Sequence, residues 1–219
     1  MAMNFDQARQ NMIDNQVRPW EVLDARVLDV LGAVRREDFV PAAWRNMAFA
    51  DLSLPLAHGE VMMKPVVEGR LLQELALGSG DDVLEIGTGS GFLTACMARL
   101  ARHVTSIDLH ADFIEAAQAR LAAASIDNVE LAVAEAVNGY RPAGVFNAIV
   151  LTGAVWEIPA AFSRWLKPGG RLFAVCGESP AMQAVMRYDD GDGRCHDRSL
   201  FETDLPYLAH AAPPKRFSL

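Results

Sequence analysis

The chain has 219 residues, 51% hydrophobic and 22% charged, with a formal net charge of −8 and a pI near 5.1. That balance suits one globular domain with a substantial core, and it argues against wholesale disorder and against a broad nucleic-acid-binding surface. No apolar run reaches the about 18 residues a membrane span requires, and Met1-Ala2-Met3-Asn4-Phe5-Asp6 lacks the basic start and apolar centre of a secretion signal.

In chain order, residues 4–17 set Met12, Ile13 and Val17 among polar neighbours, which predicts a short amphipathic helix stopped by Pro19. Residues 21–34 predict a stronger helix, with Val22, Val27, Leu28, Val30 and Leu31 along its buried side. Pro41 forces Val40 out of helical geometry, and a short helical stretch is expected over 42–47. Residues 51–65 carry Pro55, Gly59 and Pro65 with little periodicity and read as a loop, either a lid or binding element or a packed connector. A helix is expected over 66–77, through Val67, Leu71, Leu72 and Leu75, closed by Gly78-Ser79-Gly80.

The most informative stretch is Val83-Leu84-Glu85-Ile86-Gly87-Thr88-Gly89-Ser90-Gly91. It reads as a buried strand ending in a glycine turn that feeds a helix over 92–101, with Leu93, Cys96, Met97 and Leu100 on one side. A ligand is expected at that helix N-terminus, past the carboxyl end of the strand. The dinucleotide fingerprint needs its third glycine three residues after the second. Here Phe92 holds that position and Gly91 comes one residue early. Glu85, just ahead of Gly87, would repel a pyrophosphate and attract a cationic ligand bearing an amino group. The strand Val104-Thr105-Ser106-Ile107-Asp108 ends in a second acid, seventeen residues past Gly91. That is close to the offset of about 20 at which an acid meets ribose hydroxyls. Together Glu85, Gly87, Thr88, Gly89, Gly91, Asp108 and Leu109 resemble the S-adenosyl-L-methionine site of class I methyltransferases. A NAD site, or a plain turn with an incidental acid, is the competing reading.

Beyond it, a helix is expected over 111–124, a strand over 128–133 ending near Glu135, a strand over 145–151, a helix over 158–165, a turn at Lys167-Pro168-Gly169-Gly170 and a strand over 171–176. Segments 182–188 and 195–201 flank the turn cluster Asp189-Asp190-Gly191-Asp192-Gly193-Arg194 and predict an antiparallel hairpin. The cluster lacks the glutamate spacing of a calcium loop. Cys96, Cys176 and Cys195 are scattered, odd in number and without a CxxC pair, so reduced thiols in a cytoplasmic protein are expected and no metal site. Residues 213–219 are expected to be loose. The alternation predicts an α/β fold: a doubly wound, mostly parallel seven-stranded sheet with N-terminal helices and an antiparallel C-terminal hairpin. Within a single domain, residues 1–78 would hold the N-terminal helices and substrate loop, 79–180 the cofactor-binding core and 181–219 the hairpin and tail.

A family resemblance rests on further residues. Val34-Arg35-Arg36-Glu37-Asp38-Phe39-Val40-Pro41, Asp51 with Leu54-Pro55, the segment Gly59 to Pro65, the glycine turn, Glu157-Ile158-Pro159 and Leu166-Lys167-Pro168-Gly169-Gly170-Arg171 resemble the protein-L-isoaspartate O-methyltransferases. The likeness runs from about Met12 to Gly177, and more weakly to Leu208. It implies an enzyme that moves a methyl group from S-adenosyl-L-methionine to the free carboxylate of an isoaspartyl residue in a peptide or protein. It also implies roles for Asp51, Met63 and Lys64 at the acceptor, and for Glu135 and Ala136 at the cofactor, with no nucleic acid or membrane partner.

Three departures bear on the acceptor and on the site's edges. The family's Gly-Gln-Thr-Ile-Ser-Gln-Pro here carries Val61, Met62, Met63 and Lys64, so two hydroxyls are replaced by apolar groups. Losing a hydrogen-bond partner to a charged group costs about 1.5–3 kcal/mol. The family's Gly-Asp-Gly reads Ala134-Glu135-Ala136, and the acid usual in the fourth strand is Asn147. Two alternatives follow. One is a methyltransferase of the same lineage acting on an unidentified smaller or more apolar acceptor, with Met62, Met63 and Trp156 lining its pocket and His58, Glu60 or Glu157 as base. The other is a cofactor-binding protein that no longer catalyses.

Overall fold

The computed structural model describes residues 4–214; of the tail expected to be loose, 215–219 lie outside the described residues. Helix α1 (Phe5–Met12) starts at Asn4, whose side chain accepts from the Gln7 amide, and continues through a wider π turn, Ile13–Val17. Pro19 lies inside a 3-10 turn, Arg18–Trp20, where its missing N–H costs little, and the reversal falls at Glu21 with φ 61°. Helix α2 (Ala25–Ala33) is capped by Asp24 and buries Val27, Leu28, Val30 and Leu31. A 3-10 helix follows at Ala42–Met47.

The 51–65 segment is more ordered than a loop. Strands β1 (Leu54–Pro55) and β2 (Val61–Met62) pair antiparallel into a small ribbon around the 3-10 turn Ala57–Gly59. Helix α3 (Pro65–Leu75) ends at left-handed Ala76, φ 46°, not at the glycines expected to close it. Leu75 and Leu77 are both buried, so the early turn brings Leu77 into the core, and that burial outweighs the 1–2 kcal/mol or so of an L-residue in this conformation. Gly78 serves a later turn, its amide held by Asp81 Oδ2 at 3.0 Å.

The remaining elements are β3 (Asp82–Ile86), α4 (Phe92–Leu100), β4 (His103–Asp108), α5 (Ala111–Ala123), β5 (Val129–Val133), β6 (Phe146–Val155), α6 (Ala160–Ser163), β7 (Leu166–Cys176), β8 (Gln183–Asp189) and β9 (Cys195–Glu202). Strand β6 runs past the expected Leu151, α6 is shorter than expected, and β7 absorbs the Lys167–Gly170 turn through a register shift opposite Phe146 and Ala148. The sheet order is β5-β4-β3-β6-β7-β8-β9. Strands β3 to β7 pair parallel; β8 and β9 add the antiparallel hairpin. The mostly parallel seven-stranded sheet is therefore as the alternation predicted.

Alternate residues of the central strands feed two core layers. Val83, Val104, Ala148, Val150, Phe173 and Val175 pack with the N-terminal helices and α4. Leu84, Ile86, Ile107, Ile149, Leu151 and Leu172 pack on the other face with Phe162 and Trp165. Strand order reverses between β3 and β6, and a crevice opens there at the carboxyl ends.

Candidate cofactor and acceptor site

The crevice is a cleft of about 750 Å³, counting its open mouth. Its floor is Ile86, Gly87 and Gly89 after β3. One wall is Ile107, Asp108, Leu109 and His110 after β4, with Ala134, Glu135, Ala136 and Val137 after β5. Thr152 and Gly153 of β6 and Leu208 of the tail close the other side, and Leu56, Glu60 and Val61 of the ribbon form the lip. No lysine or arginine is among its lining residues, whereas Glu60, Asp108 and Glu135 are.

The glycine turn needs its glycines for separate reasons. Gly87 has φ 100°, and a Cβ there would sit 2.1 Å from Thr152 Oγ1. Thr152 in turn donates to the Gly87 carbonyl at 2.6 Å. Gly91 faces neither cavity; with φ 81° it lets α5 approach, since a Cβ would lie 3.0 Å from that of Ala117. The amides that would cradle a phosphate are already engaged. Gly89 N–H donates to Asp108 Oδ2 at 2.9 Å, and Phe92 N–H to Ser90 Oγ at 3.2 Å. Asp108 Oδ1 accepts from the His110 amide at 2.9 Å. An acidic lining with occupied amides does not suit a pyrophosphate and does suit a positively charged nucleoside.

Glu85 corrects the expectation that two carboxylates flank that cleft. The two-residue alternation of β3 sends Glu85 the same way as Val83, under α4, and leaves Ile86 in the cleft. Glu85 is fully buried; its Oε2 accepts from Thr94 and, at 2.6 Å, from Ser106, whose hydroxyl is 2.6 Å from that of Thr88. Burial pushes its pKa up to about 8 against those hydroxyls, so at neutral pH it is mostly a neutral acid. Its Oε1 is buried without a partner, and Glu85 lines a smaller recess together with Met62, Met63, Glu68, Thr88 and Leu93. Leu56, Val61, Gly87, Gly89 and Thr152 line both cavities, so the recess adjoins the cleft.

The other expected residues divide. Leu109 is half-exposed at the lip of the cleft, and Ala136 is buried in its wall. Glu135 spends both carboxylate oxygens on the Val137 and Asn138 amides, at 2.8 and 2.9 Å, and so shapes the loop after β5. Met63 lines the recess, but Asp51 and Lys64 are exposed and line neither cavity, so the three acceptor residues do not converge. Trp156 and Glu157 are likewise outside both linings. Glu60 lies in the cleft, and burial raises its pKa above the ordinary glutamate value. Asn147 sits at the opposite end of the sheet, binding the Asp82 amide and Lys167 Nζ at 2.9 and 2.8 Å.

Thr152, His110 and the tail were not foreseen. Thr152 had one available signal, a hydroxyl at the carboxyl end of a strand beside the switch point. The tail returns to β6 through Ala154 N–H to the Pro206 carbonyl and Leu208 N–H to the Ala154 carbonyl, both 2.8 Å.

The sequence profile of the protein-L-isoaspartate(D-aspartate) O-methyltransferases matches residues 7–204. A protein-L-isoaspartate O-methyltransferase of Methylorubrum extorquens (strain PA1) is 39% identical over 181 residues, 83% of this chain and 78% of that protein. One from Brucella anthropi is 32% identical over 183 residues, covering 84% of each. In fold, the chain is similar to the crystal structure of a Plasmodium falciparum protein described as a protein-L-isoaspartate O-methyltransferase in complex with S-adenosyl-L-homocysteine. The TM-score is 0.80 at 18% identity, over 94% of this chain and 99% of that one. With the profile spanning most of the sheet, the ribbon and the glycine turn, the chain belongs to the protein-L-isoaspartate(D-aspartate) O-methyltransferase family.

Proposed function

We propose that this chain is an S-adenosyl-L-methionine-dependent methyltransferase that esterifies the free carboxylate of an isoaspartyl residue in a peptide or protein. The observation that carries the cofactor is the cleft at the sheet's switch point, acidic in its lining and with the Gly89 and Phe92 amides already bonded to protein side chains. When bound, S-adenosyl-L-methionine supplies an electrophilic methyl group on a sulfonium centre. Asp108 would hold ribose hydroxyls, Ile107 and Ala136 would flank the base, and Glu85, whose Oε1 is unpartnered, would offer a polar group beside the recess. The acceptor carboxylate is ionised at neutral pH, so no strong base is required of the protein. The chain's task is alignment of the two reacting atoms and exclusion of water, for which buried Met62, Met63 and Leu93 furnish an apolar wall. Asp51 and Lys64, exposed near the ribbon, are available to a peptide arriving from solvent.

A second reading, methyl transfer to a smaller or more apolar acceptor, is favoured by the same wall: no cation lines the recess, and Val61 and Met63 stand where the resemblance calls for hydroxyls. Labelled S-adenosyl-L-methionine with an isoaspartyl peptide and its aspartyl twin separates the two. Base-labile label in the first peptide alone is the expected result. Label in neither, with transfer to small molecules of a cell extract, selects the second reading. Cofactor affinity without any transfer overturns both.

A further inference from the structure

We propose that His58, His110 and Asp112 form a binding site for one divalent transition ion of the zinc type, which clasps the ribbon across the mouth of the cleft. His58 comes from the turn between β1 and β2; His110 and Asp112 come from the start of α5. The two imidazoles lie face to face, centroids 3.9 Å apart and planes 6° from parallel. His58 Nε2 is 2.9 and 3.0 Å from the two oxygens of Asp112. One ligating atom from each of the three residues lies within 4.8 Å of the others. Two ligands about 2.1 Å from one ion, at octahedral or tetrahedral angles, are themselves roughly 3.0–3.4 Å apart. The His58–Asp112 separation, a hydrogen bond without the ion, also fits such an edge. The lone pairs of the two imidazoles lie in parallel ring planes, so binding requires one ring to swing out of the stack and bring its nitrogen, now within 4.8 Å, onto the ion.

Three features make this more than a chance grouping of polar residues. Two imidazoles and a carboxylate are the donor set that borderline divalent ions favour, with the remaining positions left to water. His58 and Asp112 are exposed and His110 is half-buried, so an ion can enter from solvent. The Phe113 ring stands nearly perpendicular to both imidazoles and packs beside their stack, with centroids 5.4 and 5.5 Å away, while His58 holds the left-handed conformation at φ 59°. An uncommon backbone geometry held by specific contacts is a usual mark of a built site.

Position gives the ion its effect. Glu60 on the ribbon side and Asp108 on the α5 side face the same cleft, so an ion shared by His58 and His110 ties lip to wall. The site does not depend on which ligand fills the cleft.

The test is titration of the purified protein with Zn²⁺ by calorimetry, and with Co²⁺ followed by its visible absorption. One ion per chain is expected, bound at least about tenfold more weakly after His58→Asn or His110→Ala. Asparagine is used at position 58 because it tolerates the left-handed backbone. His196→Ala removes the separate His196–Asp190 pair (2.7 Å) and should leave binding unchanged. Affinity that survives both His58→Asn and His110→Ala, or no binding at millimolar ion, overturns the site. Hydrogen exchange reads the clasp: Zn²⁺ should slow exchange over residues 54–63 in the wild type and not in His58→Asn. Ion binding without that protection overturns the clasp.

Discussion

Arg36 donates from Nη2 to the carbonyl of Met63 at 2.7 Å, and both residues are buried. The same guanidinium pairs with Glu68 through Nη1 and donates from Nε to the Ala48 carbonyl at 2.8 Å. It also lies over the Phe92 ring, 4.7 Å from the centroid. One planar side chain thus ties the 36–48 segment, the end of the ribbon and α3 to the helix behind the glycine turn.

Removing that tie should cost more than a surface ion pair would. Burial raises the pKa of Glu68, and Arg36 opposes the rise. Arg36→Met therefore strands a buried acid, for an expected loss of roughly 3–5 kcal/mol in urea denaturation. Arg36→Met with Glu68→Leu should recover part of it. A loss below about 1 kcal/mol in the single variant would contradict this account.

Gly87→Ala places a methyl group against Thr152 Oγ1 in a backbone region that disfavours L-residues. Affinity for S-adenosyl-L-homocysteine, measured by calorimetry, should fall on the order of tenfold or more. Adding Thr152→Ala should restore some of it. Gly169→Ala, with φ 75° and open space around it, should cost about 1–2 kcal/mol of stability and leave affinity alone.

Glu85 should leave a pH signature. In the unfolded chain it ionises near the ordinary value of 4.5; in the folded protein burial holds it to about 8. Between those limits the native state binds more protons than the unfolded state. Stability from this group is therefore fully present below about pH 4.5 and is lost as pH approaches 8. Glu85→Gln removes the decline, so the variant should gain on the wild type between pH 5 and pH 8 by roughly 1–4 kcal/mol. Parallel stability curves, measured in denaturant at the two pH values, would mean that Glu85 is ionised in the folded protein.

The ribbon separates two ways of restoring a hydroxyl. Val61 is half-buried at the junction of cleft and recess, so Val61→Thr keeps its shape and should raise transfer to an isoaspartyl peptide. Met63 is buried, and Met63→Ser should cost roughly 2–5 kcal/mol by leaving a cavity. Initial rates on the peptide, beside melting curves, distinguish a chemical gain from a loss of fold. No gain for Val61→Thr would show that the missing loop hydroxyl does not limit the reaction.

The strands, the glycine turn and Asp108 could be read from the chain because local periodicity and turn chemistry decide them. Glu85 was recognisable as part of the motif, but its direction was not foreseen; it follows from the two-residue alternation of β3, which groups it with Val83. Gly91 looked like a ligand position because glycines in such a turn share one pattern, and only the packing of α5 distinguishes its role. The helix stop at Ala76 follows from core packing around Leu77, which local propensity does not carry. His58, His110 and Asp112 are 52 and 2 positions apart in sequence, and the Ala57–Gly59 turn that brings them together has no periodic signal.

The ribbon of β1 and β2 is a sheet of its own, unconnected by strand pairing to the seven-stranded one. Substitutions in it alter the lip of the cleft and the wall of the recess without changing the register of the strands that form the cleft floor. The ribbon is thus a segment whose sequence can vary, as at Val61, Met62 and Met63, while the pairing of β3 with β4 and β6 is preserved.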